Sequence, residues 1–508
     1  MKRVLCTVFL VTCFAASGQT AESAVPAPSG DAISSSPGSR PIEPLVRVVD
    51  LRIGQETTVE LADGSTASVR LIDVKETRDS IRQAVRKTEV VVEVNGRRCT
   101  LAAGLYYLPI TVAGVRIDCP VTAGYNVDNT RRDYALEADA RLRLWPADSP
   151  LLRPVTFRYP VRQRWFATLT WSDIEPIDGG SKISTQVGYH NGLDIGGAEG
   201  MVEIIAATDA LVVSSRLEVL DEYDEGAPVQ PRYDVVYLRD DRGWYYRYSH
   251  FQSIDPEVVP GRVLKQGDRL GVLGKEGASG GWSHLHFHIS SRQPSGEWGL
   301  QNAYAFLHEA YRDEYKPAVL ACARPQQLIR AGDTAELDGT QSWSACGAIR
   351  EYHWTFSDGT TATGPRVQRE FPSPGKYSEI LRVTDSEGNV DYDFAVVQVI
   401  DPQRPDQYTP SLHATYAPTF GIRPGAPVTF QVRAFRTTEG EEEWDFGDGS
   451  PPVRTRSDGN VKPRAPDGYA KVVHRYEKPG HYLVHVRCQG EGGIAAHARL
   501  HVRVEAEQ

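Results

Sequence analysis

Residues 283–289 read Ser283-His284-Leu285-His286-Phe287-His288-Ile289, three imidazoles alternating with three apolar side chains. A period of two marks an extended strand, whose successive side chains leave opposite faces. His284, His286 and His288 therefore share one face, while Leu285, Phe287 and Ile289 share the other, which a β-core buries. Nearly a hundred positions upstream, His190-Asn191-Gly192-Leu193-Asp194 offers an imidazole and a carboxylate four residues apart, with Gly192 letting the backbone bend so that both turn toward one point. A catalytic zinc takes three protein ligands and keeps a fourth position open. Two ligands come from this turn, and the histidine strand supplies the third.

The two stretches resemble the paired signature of lysostaphin-type (LytM-like) zinc metallopeptidases, which are peptidoglycan endopeptidases: His-x-Gly-x-Asp, then much later His-Leu-His-Phe behind a Gly/Ser-rich loop. That loop is Gly277-Ala278-Ser279-Gly280-Gly281. Between them, Tyr248-Ser249-His250 matches the family's Tyr-x-His, and Leu264-Lys265-Gln266-Gly267-Asp268-Arg269-Leu270-Gly271 matches its (Val/Leu)-x-x-Gly-x-x-(Ile/Leu)-Gly. The resemblance runs from about Tyr189 to Ser290, roughly a fifth of the chain. It implies one Zn2+ per chain, held by His190, Asp194 and His286, with His250 and His284 as the catalytic pair around the water that the metal acidifies. His284 is expected to orient or deprotonate that water, and His250 to stabilise the tetrahedral intermediate or serve the leaving amine. His288 departs from the acidic residue common at its position, and reads either as support behind a metal ligand or as lining of the cleft. Isolated histidines such as His353, His474 and His485 read as structural.

The whole chain of 508 residues is long enough for three or four cores at about 150 residues each. A formal charge of −10 argues against nucleic acid and leaves no long-range attraction for acidic polymers, so a polyanionic substrate must be gripped locally. Lys2 and Arg3 precede an apolar run from Val4 to Ala16 that ends among small residues, the layout of a secretory signal, so residues 1–21 are expected to direct export to the periplasm, cell surface or medium. Thr12 before Cys13 departs from a lipoprotein motif, which disfavours a lipid anchor. No later apolar run is long enough for a transmembrane segment in the mature chain. Residues 22–43, rich in Ala, Pro, Ser and Gly, read as a flexible linker.

Export would permit disulfides. Cys99 and Cys119 flank an apolar stretch able to fold back as a hairpin, and Cys322 and Cys346 fall within one small domain, so Cys99–Cys119 and Cys322–Cys346 are the expected pairs; Cys488 is left over. The alternative is that these cysteines are buried as small apolar residues.

The expected fold class is mainly β. Alternating runs broken by Asp63-Gly64 and Asn95-Gly96 make residues 44–159 an N-terminal β-domain, in which only Glu76 to Lys87 has helical composition. Residues 160–315 are the peptidase-like domain, an open antiparallel sheet with a helix near Asn302 to Tyr311. An imperfect repeat follows. Trp354-Thr355-Phe356-Ser357-Asp358-Gly359 returns as Trp444-Asp445-Phe446-Gly447-Asp448-Gly449, and Pro374-Gly375-Lys376-Tyr377 returns as Pro479-Gly480-His481-Tyr482. These segments resemble PKD domains, immunoglobulin-like β-sandwiches, over residues 316–401 and, with an insertion around Arg454 to Asp467, over residues 402–508. Leu220 to Pro231 reads as a solvated acidic loop, and at most about two of Trp244, Tyr245, Tyr246 and Tyr248 should be exposed on an alternating strand.

The expectation is a secreted zinc endopeptidase whose partner is peptidoglycan or another peptide polymer, with the PKD-like domains on a carbohydrate or protein surface. The competing readings are an extracellular protease acting on Gly-rich or matrix proteins, and a catalytically silent scaffold.

Overall fold

The computed structural model describes residues 41–125, 130–178, 187–221, 223, 226–404 and 409–506. The signal segment and most of the linker lie outside these residues, as do Glu222, Asp224 and Glu225 of the acidic loop. The chain is mainly β, and most of its strand pairs are antiparallel.

The histidine strand is His284–Arg292, and it lies inside a nine-stranded sheet between Tyr245–Ser249 and Leu193–Gly196. Both pairings are antiparallel, with Asp194 opposite His286 on one side and Ser249 opposite His286 on the other. Because strand side chains alternate, this register fixes two faces. Leu193, Ile195, Leu285, Phe287, Ile289, Tyr246 and Tyr248 enter one fully buried core. Each such side chain contributes about 1.5–3 kcal/mol through the area removed from water. Asp194 and the histidines are left on the opposite face. The core is closed by helix Tyr304–Tyr315, which buries Phe306, Leu307 and Tyr311 and lies slightly C-terminal to its expected place. Trp244, Tyr245, Tyr246 and Tyr248 are all buried, so they form core and not an exposed stacking surface.

The N-terminal β-domain consists of two four-stranded sheets. Glu76 to Lys87 is not helical: strands Thr66–Arg78 and Val85–Val94 pair as a long hairpin, and Asp79 caps the turn by accepting from the backbone N–H of Ile81 at 2.8 Å and Arg82 at 2.6 Å. Cross-strand pairing overrides the weak helix propensity of this segment. This domain's core takes in Ile174, Val187 and Tyr189, the residues leading to His190.

Downstream, two sandwiches bury Trp354 and Trp444 at their centres. Their sheets are continuous: Gly375 and Lys376 of the first pair in parallel with Ala495 and Ala496 of the second.

The expected disulfides are not formed. Cys119 bridges Ala103, and Cys99 lies four residues back along strand Arg97–Ala102, roughly 13 Å at strand rise, beyond the reach of a disulfide. In the first sandwich Val319 faces Ser344 and Leu320 faces Trp343, which carries Cys322 to Gln341, 3.7 Å from its sulfur. Cys346 is five positions away, beside Ser344 at 3.0 Å and Ser386 at 3.1 Å. All five cysteines outside the N-terminal segment are free thiols, and burial pushes Cys119, Cys322 and Cys488 above the ordinary thiol range.

Candidate metal centre

His190, Asp194 and His286 converge, each offering one donor atom, with these atoms all within 4.8 Å of one another. Among the described residues this is the trio of His, Cys, Asp and Glu groups placed to hold an ion. Asp194 Oδ1 lies 3.1 Å from His190 Nε2 and 2.8 Å from His286 Nδ1. Gly192 makes the approach possible. Its φ of +113° favours glycine, and a Cβ there would stand 3.0 Å from the Cβ of His288 and 3.1 Å from Cε1 of His286.

The outward nitrogen of each imidazole is tied down. His190 Nδ1 donates to the Ser172 carbonyl at 3.3 Å, because a carbonyl only accepts, and this points Nε2 toward Asp194. His286 Nε2 meets His288 Nδ1 at 3.3 Å, leaving Nδ1 toward the same carboxylate. Such partners fix ligand orientation in metal sites. Two imidazole nitrogens and a carboxylate, all buried and oriented, suit a borderline divalent ion such as zinc.

His284 and His250 flank the trio, their ring centroids 4.6 Å apart. His284 Nδ1 donates to the Trp282 carbonyl at 3.1 Å, and its Nε2 is 3.3 Å from Asp194 Oδ2. His250 Nδ1 donates to the Glu276 carbonyl at 2.7 Å. Both therefore keep an unprotonated Nε2 when neutral. His250 adopts φ +72°, a left-handed conformation unusual for a residue with a Cβ, and Asp234 holds it by accepting its backbone N–H at 3.1 Å. His288 lies beside His286 and opposite Arg247 on the neighbouring strand, behind a candidate ligand.

Electrostatics favour this arrangement of charge. Burial works against ionisation of Asp194, yet the imidazoles of His190 and His284 and its hydrogen bonds outweigh it and hold the carboxyl well below its ordinary range. Burial lowers His284 well below the usual imidazole range, with His250 and His286 adding to it, and lowers His286 to about 4. Both rings are neutral at pH 7. Burial opposes the charge on His190 too, but Asp194, Asp173 and Glu175 raise it to about 9. An arriving cation must displace that proton.

Three supporting residues escaped the sequence reading. Asp173, fully buried, accepts from the Gly192 N–H at 2.9 Å and from Tyr134 at 2.7 Å, binding the ligand turn to the N-terminal domain. Asp234 orders His250, and Trp282 stacks on His284 with centroids 3.8 Å apart. Neither aspartate belongs to a motif, since each acts through the fold; Trp282, immediately before Ser283-His284, was the visible signal.

The second sandwich, partly through its insertion, reaches this site. Asn460 Nδ2 donates to the Gly280 carbonyl at 3.1 Å, Arg433 to the Gly281 carbonyl at 2.6 Å, Arg464 to Tyr233 Oη at 3.0 Å, and the Ser283 N–H donates to Tyr469 Oη at 2.8 Å. The Gly-rich loop is thus clamped from the C-terminal side.

The sequence model described as Peptidase family M23 matches residues 188–296, the span holding the trio and both flanking histidines. Residues 188–296 form a peptidase family M23 domain. PKD domain models match residues 316–399 and 412–504, so two PKD domains follow the M23 domain. A microbial collagenase from Vibrio alginolyticus is 29% identical over 91 residues, 17% of this chain and 11% of the collagenase, so the chain spans about a ninth of that relative's length. Among solved structures, Helicobacter pylori Csd3 is 11% identical over 51% of this chain and 82% of its own, with a TM-score of 0.21. The fibronectin(III)-like modules of Clostridium thermocellum CbhA are 12% identical over 37% of this chain and 94% of their own, with a TM-score of 0.15.

Proposed function

We propose that this chain is an exported, zinc-dependent endopeptidase that hydrolyses peptide bonds in the stem peptides or cross-bridges of peptidoglycan. The observation that carries the reading is the convergence of His190, Asp194 and His286 beside two imidazoles whose Nε2 atoms are free to move protons. A zinc ion held by His190, Asp194 and His286 would supply Lewis acidity toward the scissile carbonyl and lower the pKa of a nearby water toward about 7. The chain's own residues do the remainder. His284 Nε2, neutral and aimed at the trio, takes the proton of the attacking water. His250, anchored through Nδ1 to the Glu276 carbonyl and through its backbone N–H to Asp234, takes up at Nε2 the proton that the neighbouring His284 has accepted and passes it to the departing amine. Burial of the trio excludes bulk solvent, which strengthens each of these interactions.

Export rests on Lys2, Arg3 and the apolar run to Ala16. Among the described residues no helix is long and apolar enough to cross a membrane. The PKD domains would hold the enzyme on a carbohydrate or protein surface.

A second reading, an extracellular protease on Gly-rich or matrix proteins, draws support from the 91-residue likeness to a microbial collagenase. Incubating the zinc-loaded protein with purified cell walls and, separately, with a Gly-rich matrix protein distinguishes the two. New amino termini from walls alone support the first reading, and from the matrix protein alone the second. Release from neither makes the chain a silent scaffold.

A further inference from the structure

The second PKD domain meets the M23 domain through one face of its three-stranded sheet, Ser411–Ala417, Pro427–Phe435 and Ala470–Arg475. Alternation sends Leu412, Ala414, Phe430 and Val432 into the core of the sandwich and leaves His413, Gln431 and Arg433 on the opposite face, with His413 directly across from Arg433. On a free-standing sandwich such polar side chains stand in water. Here none of the three is more than 2% exposed.

Each of them has a partner across the domain boundary. Gln431 pairs with the backbone of Glu199 in both directions, accepting its N–H at 2.8 Å and donating to its carbonyl at 3.0 Å. Arg433 donates to the Gly281 carbonyl at 2.6 Å, and the His413 ring meets Trp282 edge-on, with centroids 5.1 Å apart and planes at 77°. Tyr469, the residue before strand Ala470–Arg475, completes the set: its Oη accepts the Ser283 N–H at 2.8 Å and lies 2.6 Å from His413 Nδ1. Burial, with Lys376 adding to it, lowers His413 to about 3, so its ring is neutral and Nδ1 can take the hydroxyl proton while Oη accepts from Ser283.

Three of these contacts fall on Gly281, Trp282 and Ser283, immediately before the histidine strand. Ser283 is fully buried, and a buried N–H needs an acceptor, so the backbone at Ser283 is fixed by where Tyr469 places its oxygen. Trp282, braced by His413, lies on the ring of His284. His284 is therefore located through both preceding residues by groups of the second PKD domain.

We propose that Tyr469 is a positioning residue for His284, which makes the second PKD domain a working part of the catalytic unit and more than a tether. The proposal rests on the peptidase reading above. Tyr469 acts through Ser283, and His413 through Trp282.

The test is made in the full chain. Tyr469→Phe removes the hydroxyl and keeps the ring. In chelated protein, amide exchange of the fragments covering Ser283, read by mass spectrometry, should become about tenfold or more faster. With zinc restored to the wild-type content, hydrolysis of purified cell walls should lose about 10- to 100-fold in kcat while KM stays within about twofold, because a displaced His284 affects the chemical step and not binding. Val484→Ala, which truncates the core of the same sandwich on its other sheet, should lower the unfolding midpoint and leave both kcat and exchange at Ser283 unchanged. Wild-type exchange or wild-type kcat in Tyr469→Phe, zinc lost together with activity, or an equal loss of kcat in Val484→Ala overturns the proposal. A wild-type protein that holds zinc and cuts nothing removes the peptidase reading and the positioning role with it, whereas an active wild type whose kcat is indifferent to Tyr469→Phe removes the positioning role alone.

Discussion

Trp282 lies flat on His284, with ring centroids 3.8 Å apart and planes 19° from parallel. The indole thereby sets the angle at which His284 Nε2 faces Asp194, and its carbonyl fixes the tautomer. Stacking of this kind is worth about 0.5–1.5 kcal/mol, so Trp282→Ala should lower kcat by about 2- to 10-fold with metal content unchanged. Trp282→Phe, which keeps a stacking ring, should recover most of the loss. Metal analysis beside steady-state kinetics checks both.

His286 and His284 sit two residues apart on one strand yet have different expected roles. His286→Ala should abolish metal binding, because a trio reduced to two donors no longer makes a site. His284→Ala should keep the metal and lose about 10²- to 10⁴-fold in kcat, the usual share of a general base. Equal metal loss in the two variants, measured by atomic absorption, contradicts this division.

His288 holds His286 from behind. His288→Ala should weaken metal binding by about 10- to 100-fold, and His288→Gln, which can still accept from His286 Nε2, should restore part of it. Competition with a chromogenic chelator measures the change.

These roles show how much of the site was legible. His190, Asp194 and His286 stood in two short motifs, and strict alternation around His286 put the imidazoles on one face, so strand register brought Asp194 opposite His286. The insertion of the second sandwich was visible, but its destination was not: the contact of Asn460 with Gly280 joins positions 180 residues apart, and only tertiary packing creates it. The same limit explains the cysteines. Cys99 and Cys119 flank an apolar run, but Ala103, not Cys99, is what meets Cys119. Glu76 to Lys87 misled because its helix-favouring residues lie on a hairpin whose partner strands outweigh propensity.

The free thiols give a direct check. Alkylation in denaturant without reductant, followed by peptide mapping, should label Cys99, Cys119, Cys322, Cys346 and Cys488 fully. A peptide pair linked through Cys99 and Cys119 would refute the register described for that domain.

His308 supplies a pH test away from the metal centre. Its ring is buried against Trp165 and Trp343, and burial, with Arg312 adding to it, lowers it from 6.5 to about 3. Between those values the unfolded chain binds the proton and the folded chain does not, so stability rises with pH across the window and is lost as pH falls from about 6.5 toward 3. His308→Phe removes this term. Its unfolding midpoint, followed by tryptophan fluorescence, should depend less steeply on pH over that window than the wild type's.

Every role assigned above depends on His190, Asp194 and His286 holding one catalytic zinc. Titrating zinc into chelated full-length protein, while following both bound metal and mass-spectrometric release of peptide fragments from purified cell walls, tests it most directly. Activity should return in step with the first equivalent of zinc and stay absent in His286→Ala. Hydrolysis that persists in the fully chelated protein, or that returns equally in His286→Ala, would contradict the account.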